Sequence, residues 1–579
     1  MRALKGLALT LAVLSALGGL AHAYPLSLHD PRVVRALEDS GLSFAERMTG
    51  KKVSSNAEIA SALGYETIVR TIKRDLARIE RRDKKAGVGT RYSHRLFDAR
   101  WLESPRHRFE LVGLVNRIDR MAFSAEGCGE IRLVYRLAYS DENAFSSRLP
   151  MTVNLVYRQD GKDCADLGAR WVEAIQAGSA TLVASPSSGG VFSESSLSRA
   201  RLKSVELNLQ SVRWPATVHP SLGGHAEYLM RVFVPDGQGL KVGTLENTPD
   251  VRRLERSPRL KAALLAWINH PNQRDAIEAG TYLVPEKFLA KKVTNVTPRS
   301  LARLANRPFR QLFDASELHL REGREAEHLL RSLDARTCGG CHQSRSLAGF
   351  HLPGEDPLEQ GLDALAVGRS PHFIEEQAFR GRFFSKVLAG ERPLMPREHP
   401  ELGRFRGLGA RCSLDGTGGA PWSCAQGLTC AHVDDLDIGV CARSVALGVG
   451  EACEPGELQT RSIGHRDRRR AHPRRDCRPG LHCEATSVGF PGGMCSGACS
   501  LEEEGSICGS IALLHPFNRC VAKGEPFEAC LVEHTRPATL AHCDPETPCR
   551  DDYLCARIKG SRGGCIPPYF LFQMRVDGH

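Results

Sequence analysis

Two cysteines and a histidine in the second half of the chain have types and a spacing that could do chemistry. Cys338 and Cys341 are three residues apart, and His342 follows the second cysteine directly. Residues three apart lie on one face of a helical turn, so both sulfurs can reach the same group. Gly339 and Gly340 stand between them and carry no side chain that would crowd this group. The motif could attach a cofactor, form a redox-active dithiol, or contribute half of a zinc site.

The motif resembles the CxxCH haem-attachment site of c-type cytochromes. The resemblance implies one covalent haem c, with Cys338 and Cys341 bonded to its two vinyl groups and His342 as the proximal ligand of the iron. An amphipathic helix is predicted from Gly323 to Asp334, and it runs into the motif as in cytochrome c domains. The rival interpretations have less support, because no thioredoxin-like βαβ pattern and no second Cys/His pair of zinc-binding spacing stands nearby.

A mono-haem electron carrier usually has a second strong iron ligand, commonly methionine. Met395 is the leading candidate, because Pro393-Leu394-Met395-Pro396 resembles the distal loop of class I cytochromes. His351 and His372 are the alternatives for ligation by two histidines. An iron without a sixth ligand would instead favour an enzyme of oxidase or peroxidase type.

The N-terminus has the three parts of a secretory signal peptide. Arg2 and Lys5 give a positive start, residues 7–20 are apolar, and Ala21-His22-Ala23 is a small-x-small cleavage site. We therefore expect export to the periplasm or the cell surface, with residues 1–23 removed and no transmembrane segment after cleavage. The net charge of +11 is small for 579 residues. The sequence contains no basic helix interleaved with aromatic residues, so it does not predict binding to nucleic acid.

The 20 cysteines are distributed unevenly along the chain. Two belong to the CxxCH motif, and 16 lie between Cys412 and Cys565. The other two, Cys128 and Cys164, bracket two predicted strands, so we expect a disulfide between them. Without the two haem cysteines 18 remain, an even number that can pair completely in an oxidising compartment.

The clustered cysteines recur at similar spacings. Intervals of 11, 5 and 10 residues separate Cys412, Cys424, Cys430 and Cys441, and intervals of 23, 5 and 11 separate Cys453, Cys477, Cys483 and Cys495. The shared core Cys-x-x-Gly-Leu-x-Cys resembles the stapled repeats of Dickkopf-type and EGF-like extracellular modules, which implies a disulfide framework in place of an apolar core. The basic loop 465–475 could bind an anionic polysaccharide, although a solvated insertion is the simpler interpretation.

The order of predicted elements indicates an α+β protein of several domains. Residues 24–106 are predicted to form a helical layer, 107–245 a β-rich domain with mainly antiparallel strands, 246–410 a helical region with the haem segment, and 411–579 cysteine-rich repeats. The clearest strand alternates apolar and other side chains, which indicates one buried face; its apolar positions are Ile131, Leu133, Tyr135, Leu137 and Tyr139.

Two polar clusters in the β-rich region are interpreted as ordinary polar turns. The first could bind a metal, but no helix fixes its members on one face; it comprises His219, His225 and Glu227. The second ends a predicted strand and comprises Asn116, Arg117 and Asp119.

Three functions remain open from the sequence. The favoured one is an exported mono-haem protein that transfers electrons to a redox protein or a surface component, because c-type haem is attached outside the bacterial cytoplasm. The second is a haem enzyme of oxidase or peroxidase type. The third is a secreted, disulfide-rich adhesion or binding protein whose CxxCH is a structural disulfide.

Overall fold

The computed structural model describes most of the chain between residues 26 and 395 and short strands beyond it. The described ranges are 26–53, 56–62, 64–86, 99–105, 107–123, 126–140, 146–188, 190–193, 195–212, 226–237, 239–294, 308–319, 326–339, 352, 354 and 371–395. From residue 411 onward only the strands named below are described.

An antiparallel sheet of eight strands organises the described part of the chain. Strands β1 to β7 lie side by side in chain order, and β8 pairs with β6 next to β7. This arrangement confirms the mixed α+β class and the antiparallel sheet predicted for the β-rich region. The strands are β1 Ser27–Leu28, β2 His107–Arg117, β3 Glu130–Ser140, β4 Ser146–Arg158, β5 Leu202–Val212, β6 Ala226–Asp236, β7 Gly239–Val242 and β8 Val293–Thr294.

Strand β3 carries the alternation seen in the sequence. Leu133, Tyr135 and Leu137 lie in the main core cluster on one face of the sheet. The expectation of a single buried face is wrong, because Val134 and Arg136 on the opposite face are also buried. Later parts of the chain cover that second face, as the packing of Val134 against Leu352 shows.

Helices cover the first face of the sheet, and their apolar residues join those of the sheet in one core cluster. The Asp30 carboxylate caps the N-terminus of the first helix by accepting hydrogen bonds from two backbone N–H groups. In the long helix Tyr65–Ala86, Asp75 accepts a hydrogen bond of 2.7 Å from Arg231 of β6, which ties this helix to the sheet. These helices are α1 Pro31–Leu37, α2 Phe44–Thr49, α3 Tyr65–Ala86, α4 Cys164–Gln176 and α5 Ser179–Ser188.

A second group of helices lies, in the sequence, between β7 and the CxxCH motif. Three of them begin with proline at their first position, and one ends at Gly280 in the left-handed conformation, so local sequence sets these boundaries. Their buried residues form a core cluster of their own. They are α6 Val251–Glu255, α7 Pro258–Asn269, α8 Pro271–Ala279, α9 Pro308–Leu312 and α10 Ala326–Ala335.

Helix α11, Pro371–Leu388, contributes to both faces of the sheet. Near its C-terminus, Phe384 lies in the main core cluster. There it contacts Gly168 of α4, where a Cβ atom would stand only 3.0 Å from the Phe384 ring. Near its N-terminus, Phe373 packs with Val134 and Leu352 over the second face. The helix therefore helps to close the space above that face.

The C-terminal strands form three small antiparallel sheets with one shared register. In each sheet the last strand lies between the other two. The cysteine of the last strand is the Cα partner of a cysteine in the second strand: Cys441 of Cys430, Cys495 of Cys483, and Cys565 of Cys555. The first-strand cysteines pair with the glycine two residues earlier: Cys412 with Gly439, Cys453 with Gly493, and Cys543 with Gly563. The strands are Arg411–Ser413, Leu428–His432, Ile438–Arg443, Ala452–Cys453, Leu481–Glu484, Gly493–Gly497, His542–Cys543, Leu554–Lys559 and Arg562–Ile566.

The predicted disulfide between Cys128 and Cys164 is confirmed. The two Cα atoms are 5.2 Å apart, and the bond joins the segment before β3 to the first residue of α4. Among the helices of the described ranges, none is both long enough and apolar enough to span a membrane.

Candidate functional site

Helix α10 carries the chain to the CxxCH motif. The helix predicted from Gly323 to Asp334 is described as Ala326–Ala335, with its leucines buried in the helical core cluster. Asp334 in its last turn accepts hydrogen bonds from the backbone N–H of Phe309 at 2.7 Å and from Arg310 Nε at 2.8 Å. The Thr337 hydroxyl then donates to the Asp334 carbonyl at 2.6 Å. The turn before Cys338 is thus anchored to α9.

Cys338 and Gly339 dock onto the sheet and onto the segment that follows β7. The Cys338 N–H donates to the Thr248 hydroxyl at 2.9 Å, and the Tyr228 hydroxyl of β6 donates to the Gly339 carbonyl at 3.3 Å. The Cys338 sulfur lies 3.8 Å from the Glu246 carbonyl oxygen. Two contacts therefore hold the first cysteine of the motif, and a third holds the glycine that follows it.

Cys338 lines a cavity of about 450 Å³ on the second face of the sheet, here called the sheet-face cavity. Its volume lies in the range of small-molecule and cofactor sites. Strands β2 to β6 form its floor, with Val134, Thr152, Asn154 and Met230 among the lining residues. Residues 244–246, residues 336–338, Leu352 and the first half of α11 form the rest of its wall.

Strand register places the floor residues in rows across the sheet. Thr152 of β4 is the partner of Asn208 on β5, which is the partner of Met230 on β6. Among the described residues, the Thr152 hydroxyl and the Asn154 amide oxygen are buried and have no hydrogen-bond partner. An unsatisfied buried polar group costs free energy, so these atoms indicate a ligand or a water that would pair with them.

The cavity wall is strongly cationic. Seven of its lining residues are basic and three are acidic; the basic ones are Arg117, Arg120, Arg132, Lys203, Arg336 and Arg380, together with Arg231, whose guanidinium is bonded to Asp75 of α3. A buried carboxylate, Glu130, holds several of them together, with Arg132 at 2.9 Å and Lys203 at 2.5 Å. Burial alone would raise the pKa of Glu130, but these cations and Arg120 hold it well below its ordinary value. The wall is therefore a preformed charged network.

The polar turn at the end of β2 belongs to this wall. Arg117 donates two hydrogen bonds of 2.9 Å to the Asp119 carboxylate, and both residues are largely buried. The Asn116 side chain accepts from the Ile118 N–H at 3.0 Å. The sequence assigned this cluster no function, and the structure places its arginine in the cavity. The place of Arg117 in the cavity wall follows from the pairing of β2 with β3, which the local sequence does not show.

For most of the other candidate ligands from the sequence, the structure does not describe the side chain. Cys341, His342, His351, His219 and His225 lie outside the described residues, as do the signal peptide and the basic loop 465–475. The backbone places His372 and Glu227 in α11 and β6, and their side chains are not among the described ones. Among the described residues, no group of three or more His, Cys, Asp or Glu side chains could hold a metal ion.

Met395 is half-buried and packs against the main core cluster. Nearby, Arg392 donates hydrogen bonds to the Met121 and Gly127 carbonyl oxygens at 3.2 and 3.4 Å. Cys338 instead packs against the small cluster that contains Met230 on the second face. The described structure therefore places Met395 and Cys338 against different clusters.

A second cavity, of about 630 Å³, lies beside the Cys128–Cys164 disulfide and is lined by α4 and its neighbours. It is larger, but its lining contains none of the residues that the sequence singled out for cofactor chemistry. The sheet-face cavity is therefore the candidate site, because it combines Cys338 with unsatisfied polar atoms and a cationic wall.

Comparison with known proteins gives no relative for this chain. No family model, no curated protein and no solved structure matches it. Its function is therefore inferred from its own residues and their arrangement.

Proposed function

We propose that this protein is an exported mono-haem c-type protein that transfers electrons. Cys338 and Cys341 would hold the haem and His342 would ligate its iron from the proximal side. One observation carries the proposal: the first cysteine of the CxxCH motif lines a cavity with apolar floor residues and a cationic wall. A haem has an apolar ring and two carboxylates, so its chemistry matches both parts of that lining.

The chain's own residues would divide the work of holding the haem. The two cysteines would hold the haem through thioether bonds, each formed by addition of a thiol S–H across one vinyl double bond, so the attachment would need no oxidant. Thr248 and Tyr228 would fix the backbone of the motif while it reacts. Arg132 and Lys203 would neutralise the haem carboxylates, since arginine and lysine are the usual partners of buried anions.

The unsatisfied polar atoms favour a second candidate function as well. Thr152 and Asn154 could hydrogen-bond to a small polar ligand in the cavity. Such a ligand would suit an oxidase or peroxidase, which requires an iron without a sixth protein ligand. A carrier and an enzyme differ in the coordination of the iron. A six-coordinate low-spin spectrum supports electron transfer, and a high-spin haem that binds peroxide or carbon monoxide supports the enzyme.

Haem attachment is tested by expression in a periplasm competent for c-type maturation, with haem staining of denaturing gels and a pyridine haemochrome spectrum. We expect stain that survives denaturation and a c-type α-band, and we expect Cys338→Ala and Cys341→Ala to lose the thioether at the replaced position. The matched control is Cys128→Ala with Cys164→Ala, which also removes two cysteines but should keep the stain. A colourless wild-type protein would contradict the proposal.

A colourless protein would leave the third interpretation, a secreted binding protein whose three C-terminal sheets carry the contacts. The basic loop 465–475 would then be the first place to test for an anionic polysaccharide partner. In the haem-bearing protein, the same C-terminal part would hold the carrier near its redox protein or surface partner.

A further inference from the structure

We propose that each of the three C-terminal sheets is closed by one disulfide between its second strand and its last strand. In each sheet the backbone register makes the cysteines of these two strands direct partners on neighbouring antiparallel strands. The inference is independent of the haem, because it rests on these strands alone. The proposed bonds join Cys430 to Cys441, Cys483 to Cys495, and Cys555 to Cys565.

The spacing of partner residues on antiparallel strands fits a disulfide. Direct partners have Cα atoms about 4.5–5.5 Å apart, and a disulfide joins Cα atoms that are usually about 4.4–6.8 Å apart. Direct partners also lie on the same face of a sheet. The two cysteines of each pair therefore share a face, at a separation that a disulfide spans without movement of the backbone.

The same register excludes the first-strand cysteines as partners within their sheets. Cys412 is the partner of Gly439, two residues before Cys441, so the two cysteines are diagonal neighbours. Diagonal neighbours lie about 7–8 Å apart, beyond the distance of about 7 Å that a disulfide can span without backbone movement. Cys412 and Cys430 lie on the two strands that flank the last strand, so they are about 9 Å apart or more. The equivalent first-strand residues of the other two sheets are Cys453 and Cys543.

The three sheets repeat one arrangement of cysteine and glycine. Each last strand contains Gly-x-Cys, and its glycine, which shares a face with its cysteine, is the direct partner of the first-strand cysteine. Three cysteines and one glycine thus occupy corresponding positions on one face of each sheet. The interval after the first-strand cysteine nevertheless varies from 5 to 23 residues. Equal registers with unequal intervals indicate one module present three times, so the same bond is assigned to all three sheets.

The proposed bonds would hold strands that are short. The second and last strands contain only 4–6 residues, and an isolated hairpin of this kind is marginally stable in water. Each bond would form from two thiols, which pass two electrons and two protons to a protein disulfide of the oxidising compartment. The two sulfurs join, and the donor disulfide is reduced to two thiols.

The first test maps the bonds of the third sheet in full-length exported protein. Free thiols are blocked with N-ethylmaleimide, and the unreduced protein is digested with trypsin, which cleaves at arginines on both sides of Cys555. Mass spectrometry before and after reduction should show peptide 551–557, which contains Cys555, bonded to peptide 563–575, which contains Cys565. Any other partner for peptide 551–557, or a blocked thiol in it, would overturn the proposal. The map is made equally on stained and on colourless protein, so failure of haem attachment does not affect it.

Serine variants test the first sheet, where no arginine or lysine stands between the cysteines. Cys430→Ser should leave its partner as a thiol, so we expect N-ethylmaleimide on Cys441, located by fragmentation of the reduced peptide. Cys412→Ser is the matched control, because it also removes one cysteine of the sheet but should leave Cys430 and Cys441 unlabelled. Label on Cys412 in the first variant, or on either of the other two cysteines in the control, contradicts the assignment. If a variant fails to fold, the wild-type map of the third sheet decides.

Discussion

At the scale of single residues, Thr152 offers a test of whether the sheet-face cavity takes up the proposed haem. Its buried hydroxyl has no partner among the described residues, so replacing it with an isosteric methyl should not destabilise the haem-free chain. We expect Thr152→Val to raise the free energy of unfolding of haem-free protein by about 1 kcal/mol, measured by urea titration. In haem-loaded protein the same change should remove a hydrogen-bond donor from the site and lose this gain.

Thr337→Val is the control for Thr152→Val, because the Thr337 hydroxyl donates to the Asp334 carbonyl. It should lower the free energy of unfolding by about 1 kcal/mol in the same titration. Equal losses for both variants would contradict the view that the Thr152 hydroxyl awaits a ligand.

Asp334 gives the turn before Cys338 a pH dependence. Burial raises its pKa from 3.8 to about 6, although Arg310 and two backbone N–H groups oppose the rise. The folded protein thus binds this proton more tightly than the unfolded chain, so the contribution of Asp334 to stability is present below pH 4 and is lost as the pH rises to 6. The stability of wild type minus that of Asp334→Asn should fall over this window and then level off. Denaturant titrations from pH 3.5 to about pH 7 measure it, and a difference that rises with pH would contradict the assignment.

At the scale of elements, the missing side chain of Gly113 in β2 makes room for Leu352. Register shifts between Leu111 and Gly113, and a Cβ atom on Gly113 would stand 2.1 Å from Leu352 Cδ2 and 3.0 Å from the Leu28 carbonyl oxygen. We expect Gly113→Ala to lower the free energy of unfolding by about 1–3 kcal/mol through overpacking. Adding Leu352→Ala should restore part of this loss, and a non-additive double-mutant cycle would show it. Strict additivity would contradict the contact.

Local patterns predicted individual elements well. The apolar face of β3 and the leucine spacing of α10 each reflect packing against one core cluster, so the local sequence predicted both elements. The burial of the second face of the sheet was not predicted, because the segments that cover it lie more than 200 residues after β3 in the sequence and no local pattern indicates the contact. For the same reason Met230 resembled any other apolar strand residue, and Arg117 resembled a turn residue, until register placed both in one cavity.

At the scale of the whole molecule, the Cys128–Cys164 disulfide closes a long loop that contains β3 and β4. Cross-linking residues 36 apart removes conformational entropy from the unfolded chain. Replacing both cysteines with alanine should lower the free energy of unfolding by about 2–4 kcal/mol, measured by guanidinium titration. Because the bond lies outside the sheet-face cavity, the haem spectrum of this variant should remain that of wild type. A loss of haem would show that the bond also shapes the site.

The proposed haem site draws on parts of the chain that no single segment contains. The sheet supplies the floor, α10 presents Cys338, and α11 covers one side of the cavity. The first cysteine is held by Thr248 and its neighbour by Tyr228. We therefore expect a protein in which the haem is bonded to a turn but held by a β-sheet.

The most direct measurement of this account is the mass of the proteolytic peptide that contains Cys338, Cys341 and His342. The protein would be purified from a maturation-competent periplasm, reduced, denatured and digested before mass spectrometry. The account predicts a peptide heavier by one haem, which survives reduction because thioether bonds are not cleaved by thiols. A peptide with two unmodified cysteines would contradict the central claim and remove both haem functions together.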